Sequence, residues 1–148
     1  MSPQTAFYNL LGMETLGLRM ERACDNAKKL AEFLNTYPDV TVNYPGLSDS
    51  LWHAQAEKVL QNGYGAILTI RVGSKERAFD LINTLTIPKI VSNIGDTKTL
   101  IIHPESTLNA HSTQKEKEEA GVFDDLIRIS VGIEDVEDLI EDFKHALK

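Results

Sequence analysis

Asp125-Leu126-Ile127-Arg128-Ile129-Ser130-Val131-Gly132-Ile133-Glu134-Asp135 is the stretch around which the chain is organised. It reads as a strand, a one-glycine turn and the start of an acidic helix. Successive strand side chains point to opposite faces. Ile127, Ile129 and Val131 therefore share one face, and Leu126, Arg128 and Ser130 share the other. One arginine sits in the middle of an otherwise apolar strand. A guanidinium keeps its charge, and burying it without a partner is costly. Arg128 must meet a carboxylate, from the protein or from a ligand.

Downstream, Val136, Leu139, Ile140, Phe143 and Leu147 recur at helical spacing. Acids crowd the start of this helix, and Lys144 and Lys148 lie near its end, as the helix dipole favours. The acidic helix reads as a solvated face. Upstream, Thr99–His103 reads as a strand closed by Pro104, and residues 105–120 are polar, with a helical turn at 115–120. That polar stretch is expected to be the mobile one. Ala66–Val72 alternates as a strand. Ser74 is placed to cap a helix carrying Ala78, Leu81, Ile82 and Leu85. Ile90-Val91 starts a strand that runs into Ser92-Asn93-Ile94-Gly95-Asp96. Val40–Asn43 is a short strand, and Leu51–Gln61 a weak helix with Trp52, Ala56, Val59 and Leu60 as its apolar positions.

Residues 5–35 read as two helices or one long bent helix, because Gly12 and Gly17 weaken the middle. Ala23, Ala27, Leu30, Ala31 and Leu34 form a clear stripe. The first half, with Phe7, Leu10, Leu11 and Leu18, is nearly apolar all round, which predicts packing against something outside this chain. The order of elements implies an α+β layer: a mainly antiparallel sheet with helices on one face. The division expected is 1–35 as linking helices and 36–148 as a small α+β domain.

Composition narrows the function. With 15 Lys and Arg against 22 Asp and Glu, the net charge of −7 and the lack of a basic run argue against nucleic acid and anionic membrane as partners. A single cysteine, Cys24, excludes an internal disulfide, and its helical setting reads as packing. No run reaches the ~20 apolar residues of a membrane span, and the N-terminus lacks the pattern of a signal peptide. A cytoplasmic protein is expected. His53, His103, His111 and His145 are not spaced as metal ligands, so no metal site is assigned. Gly95-Asp96-Thr97-Lys98-Thr99 lacks the spacing of a phosphate loop and leads into a strand. The remaining candidates are Arg128, as a fork for a substrate carboxylate, and Asn93, either a turn residue or a polar ligand contact.

The residues also resemble the C-terminal domain of the Cys/Met-metabolism family of pyridoxal-phosphate enzymes. The matching text is Gly12-Met13-Glu14-Thr15-Leu16, Leu18-Arg19-Met20-Glu21-Arg22 and Tyr44-Pro45-Gly46-Leu47. It continues through Ser92–Pro104 and Ala120-Gly121-Val122 to the opening stretch. The resemblance implies the small domain of a fold-type I pyridoxal-phosphate transferase. The wording Asn93-Ile94-Gly95-Asp96-Thr97-Lys98-Thr99-Leu100 is most similar to O-acetylhomoserine sulfhydrylases; cystathionine gamma-synthases and gamma-lyases tend to carry Ser-Leu-Gly-Gly there. It implies that Arg128 binds the substrate α-carboxylate with Asn93 beside it, in an enzyme making homocysteine from O-acetylhomoserine and sulfide. It further implies a large cofactor domain upstream, which holds pyridoxal phosphate and the catalytic lysine, and a homotetramer. Lys28, Lys29, Lys58, Lys75, Lys89 and Lys98 do not stand in the family's lysine motif. The chain is thus expected to be a fragment, with no catalytic residue and no cofactor of its own. The alternatives are a gamma-synthase or gamma-lyase domain, a stand-alone module that binds an amino acid through Arg128, and a dimerisation domain from a decayed enzyme.

Overall fold

A computed structural model describes residues 1–148. In chain order the elements are α1 (Pro3–Glu14), α2 (Leu16–Leu34), β1 (Thr41–Asn43), α3 (His53–Val59), β2 (Ile67–Arg71), α4 (Lys75–Thr84), β3 (Lys89–Ile90), β4 (Leu100–Ile102), a 3₁₀ turn (Pro104–Ser106), α5 (Gln114–Glu119), β5 (Leu126–Ser130) and α6 (Val136–Ala146). The strands form one sheet in the order β1-β2-β5-β4-β3. Three of its four pairings are antiparallel, and only β3 runs parallel to β4. The α+β layer read from the alternation is therefore the architecture found.

The register shows why β5 is central. Leu68 faces Ile129, Ile70 faces Ile127, and Ile101 faces Ile129 from the other side. All of these are buried on one face of the sheet, in a core shared with Ala27, Leu30, Ala31 and Leu34 of α2, Ala78, Leu81 and Ile82 of α4, and Leu139 and Phe143 of α6. Each helix presents its stripe at helical spacing, so three helices close one face. Ser74 caps α4 by accepting the Arg77 N–H at 3.2 Å, as its position implied.

The long N-terminal element is two helices. They break at Thr15, between the two glycines. Arg19 bridges the break, donating from Nη2 to the Gly12 carbonyl at 2.6 Å and from Nε to Thr15 Oγ1 at 3.3 Å. No residue of α1 is buried. Phe7, Leu10, Leu11 and Met13 each leave half or more of their surface open.

Three expectations change. The helix at 51–61 covers only His53–Val59, and of its four apolar positions only Ala56 is buried; Trp52 lies in the turn before the helix, and it and Val59 stay mostly exposed. Residues 105–120, read as a free polar stretch, are joined to their neighbours by ion pairs at Glu105 and Lys117. Glu105 accepts from Lys75 Nζ at 2.8 Å and from Lys117 Nζ at 2.5 Å, which joins the 3₁₀ turn to α4 and α5. The acids near α6 are not all solvated. Asp142 accepts the N–H groups of Thr86 and Ile87, and Glu134 accepts the N–H of Thr99 at 2.6 Å and its hydroxyl at 2.9 Å.

The turn after β5 is dense. Asn26 Nδ2 donates to the carbonyls of Gly132 at 3.1 Å and Glu134 at 2.8 Å. The Gly132 N–H donates to Thr99 Oγ1 at 3.0 Å. A methyl on Gly132 would lie 2.6 Å from the Lys98 carbonyl carbon and 2.5 Å from Glu134 Oε2, and would meet the Thr97 oxygen as well. Gly132→Ala should cost about 1–3 kcal/mol, seen in urea unfolding as a lower midpoint with an unchanged slope; a midpoint equal to wild type would show that the turn gives way freely. Glu105 supplies a second test. Its two lysine partners hold its carboxyl down from 4.5 to about 2. A depressed folded-state value adds stability that is complete above pH about 4.5 and is lost as pH falls towards about 2. Glu105→Gln should therefore flatten the acid limb of the stability profile in that window, and a variant as acid-sensitive as wild type would remove the lysines' role.

Candidate functional site

The face of the sheet opposite the helices carries a row of polar side chains. Arg128 on β5 faces Thr69 on β2, and Thr69 faces Asn43 on β1. Asn43 Nδ2 donates to Thr69 Oγ1 at 3.4 Å. A groove of about 540 Å³ runs over this row, lined among others by Trp52, Arg71, Phe123 and Arg128.

Its two arginines differ in kind. Arg71 is satisfied. Its Nε donates to Asp125 Oδ1 at 2.8 Å, and its guanidinium lies 4.0 Å from the centre of the Phe123 ring. Asp125 is buried and also takes the Gly73 N–H at 3.0 Å. Arg128 belongs to none of the protein's ion pairs. Its Nη2 donates to the carbonyls of Ser92 at 2.7 Å and Asn93 at 3.3 Å. Its Nε is buried with no partner. Burial alone pushes the guanidinium's pKa down, with no neighbouring carboxylate to raise it. The charge is held, aimed and uncompensated. Such a charge is suited to a carboxylate, which the unengaged Nη1 can meet with charge-assisted hydrogen bonds.

The two residues singled out in the sequence do come together, though not side chain to side chain. Asn93 meets Arg128 through its backbone carbonyl, and its carboxamide lies at the surface. Residue type leaves no mark on a carbonyl contact, so the part played by Ser92 and Asn93 oxygens had no signal to find. Ser130 was also passed over. It is buried, and its Oγ accepts the Gly95 N–H at 3.2 Å. Gly95 sits at φ 75°, the left-handed region that glycine enters without penalty. Further on, the Ile133 N–H donates to the Thr97 carbonyl at 2.9 Å. The loop between β3 and β4 thus runs alongside β5, fastened at Arg128, Ser130, Ile133 and Glu134.

The other candidates are structural in this setting. His103 is buried between the Asp124 carbonyl, 2.7 Å from Nε2, and Ser106 Oγ, 2.9 Å from Nδ1. His53 Nδ1 contacts the Pro45 carbonyl at 2.9 Å. Cys24 is buried, and burial pushes its thiol pKa up.

A helix layer on one face of the sheet and a polar, open groove with one uncompensated arginine on the other are what the fold presents. Comparison with known proteins supplies the family. The model of Cys/Met metabolism PLP-dependent enzymes matches residues 1–148. The chain belongs to that family, which is a family of pyridoxal-phosphate-dependent enzymes. It is 44% identical over 149 residues to homocysteine synthase of Schizosaccharomyces pombe, covering 99% of this chain and 35% of that protein. It is 44% identical over 150 residues to O-acetyl-L-homoserine sulfhydrylase of Leptospira meyeri, covering 99% of this chain and 34% of that protein. L-methionine gamma-lyase of Fusobacterium nucleatum is 42% identical over 150 residues, with 100% and 38% covered. A solved structure described as an O-acetylhomoserine (thiol)-lyase of Campylobacter jejuni, carrying a pyridoxyl-lysine monophosphate, superimposes with a TM-score of 0.93 at 37% identity; 99% of this chain and 35% of that one are covered. The chain spans about a third of the length of the curated relatives it matches. No helix is long and apolar enough to cross a membrane.

The desolvated, unpartnered Nε of Arg128 offsets what its two carbonyl contacts contribute to stability. Arg128→Met should leave the unfolding free energy unchanged or raise it by about 1 kcal/mol, since it removes a desolvated donor and keeps the packed stem. A loss above about 2 kcal/mol in chemical denaturation would mark Arg128 as a structural residue instead.

Proposed function

We propose that this chain is the substrate-binding small domain of a pyridoxal-phosphate-dependent sulfhydrylase, which makes homocysteine from O-acetylhomoserine and sulfide, and that Arg128 grips the amino acid's α-carboxylate. The carrying observation is the guanidinium of Arg128, held by two carbonyls and matched to no carboxylate of the protein. The names of the relatives support the reaction, since several are described as homocysteine synthases or O-acetylhomoserine sulfhydrylases.

The groove beside Arg128 is lined by no lysine. Its residues fit an anionic end of the substrate rather than the cofactor's aldehyde. A pyridoxal phosphate bound by the large domain of this reading would supply the electron sink for replacement at the γ-carbon. This chain's share is binding and orientation. Nη2 of Arg128 is taken up by the Ser92 and Asn93 carbonyls, whereas Nη1 has no hydrogen-bond partner in the protein and is not buried. Nη1 is the end of the guanidinium open to a carboxylate. Gripping the α-carboxylate there fixes one end of the amino acid and so sets where its γ-carbon falls, the kind of positioning that lowers a barrier through entropy. In the same reading the carboxamide of Asn93, exposed beside Arg128, is a second polar contact to the substrate. Helices of residues 1–35 link the small domain, 36–148, to the remainder, and the uncovered apolar surface of α1 packs there.

In the full-length enzyme, Arg128→Ala should raise KM for O-acetylhomoserine by about two to three powers of ten, as losing a charge-assisted pair costs roughly 2–5 kcal/mol. KM for sulfide should stay within about twofold. Steady-state kinetics with each substrate varied in turn measure both. An unchanged KM for the amino acid removes Arg128 from the carboxylate role, and turnover of L-methionine in place of sulfide incorporation moves the assignment to a lyase.

A further inference from the structure

We propose that Ser130 is a positioning residue of the carboxylate grip. Its hydroxyl holds the loop whose carbonyls aim Arg128. The proposal rests on the reading of Arg128 as the carboxylate-binding residue.

An arginine side chain carries about 2 kcal/mol of rotamer entropy, so a guanidinium that is to act as a rigid fork needs fixed partners. Here the partners are the carbonyls of Ser92 and Asn93, 2.7 and 3.3 Å from Nη2. They lie in an exposed loop. The loop's ends are held by the pairing of Ile90 with Ile101 and by the Ile133 N–H on the Thr97 carbonyl; between them the hydrogen bonds to the rest of the protein are those from Arg128 and the one to Ser130, which lies nearer the two carbonyls than the Thr97 anchor does. Arg128 and the two carbonyls cannot anchor each other, because each is mobile without the other. An independent fixed point is needed. Ser130 is that point: it lies two residues from Arg128 on the same side of β5, is only 2% exposed, and is locked in register with Ile67 and Leu100 on the flanking strands. Its Oγ takes the Gly95 N–H at 3.2 Å, two residues beyond Asn93. The left-handed backbone of Gly95 turns that N–H inward. Thus β5 carries both the fork and the peg that holds the fork's rest. The sheet face opposite the helices would otherwise favour an apolar side chain at a site this buried.

The test uses the full-length enzyme and one ratio: kcat/KM for O-acetylhomoserine divided by kcat/KM for its α-carboxamide, which lacks the carboxylate charge. Both are read on the same sample, so the ratio does not depend on the fraction of enzyme that is folded. Ser130→Ala should lower the ratio about tenfold, chiefly through KM for the carboxylate substrate. Ser130→Thr, which keeps the hydroxyl, should hold the ratio within about twofold of wild type. An unchanged ratio in Ser130→Ala overturns the proposal, and so does an equal fall in both variants, since the hydroxyl is then not what matters. Arg128→Ala separates the two levels. If it collapses the ratio and Ser130→Ala does not, only the positioning role fails. If Arg128→Ala leaves the ratio intact, the carboxylate reading itself fails.

Discussion

The unmatched charge of Arg128 is the constraint on which the rest of the structure turns. A guanidinium inside a protein is tolerated when its hydrogens are satisfied and its charge is balanced. Here two backbone carbonyls take part of the first requirement, and nothing in the chain meets the second. The contrast with Arg71 is instructive. That residue lies on the same face, two strand positions away from Thr69, and has a buried carboxylate and an aromatic ring. The fold can pair an arginine when pairing is all that is required. It leaves Arg128 open at the mouth of a groove.

Keeping such a side chain in place needs a stiff support. The central strand supplies it by dividing its two faces between two tasks. Ile127 and Ile129 seal the core beneath three helices. Arg128 and Ser130 face the loop that runs between β3 and β4. The loop's far end is fixed by Glu134 on Thr99 and by the close approach of Gly132 to Thr97 and Lys98. Asn26 ties the same turn to α2 with two hydrogen bonds.

Much of this was legible in the residues. Period-two alternation marked β2 and β5, and helical spacing marked α2, α4 and α6, since burial on one face leaves a periodic trace. The cap at Ser74 and the break between Gly12 and Gly17 followed from local backbone preference. The arginine stood out because its charge violates the pattern around it. The weak helix at 51–61 was read with too many core positions, for amphipathic spacing over two turns does not say whether a neighbour exists to cover it. Residues 105–120 looked loose because the two lysines that clasp Glu105 come from 30 residues before it and 12 residues after it.

By itself, the sequence determined the class of the layer, the strand that centres it, the one charged residue in that strand and, through similarity along its whole length, the family. These are properties of periodicity and residue type, which are local. Only the tertiary structure decided that no carboxylate of the protein answers Arg128, that Asn93 touches it through a carbonyl, and that Ser130 holds the loop between them. Those facts depend on which distant backbone atoms come within hydrogen-bond reach, and one peptide group looks like any other until the chain is folded.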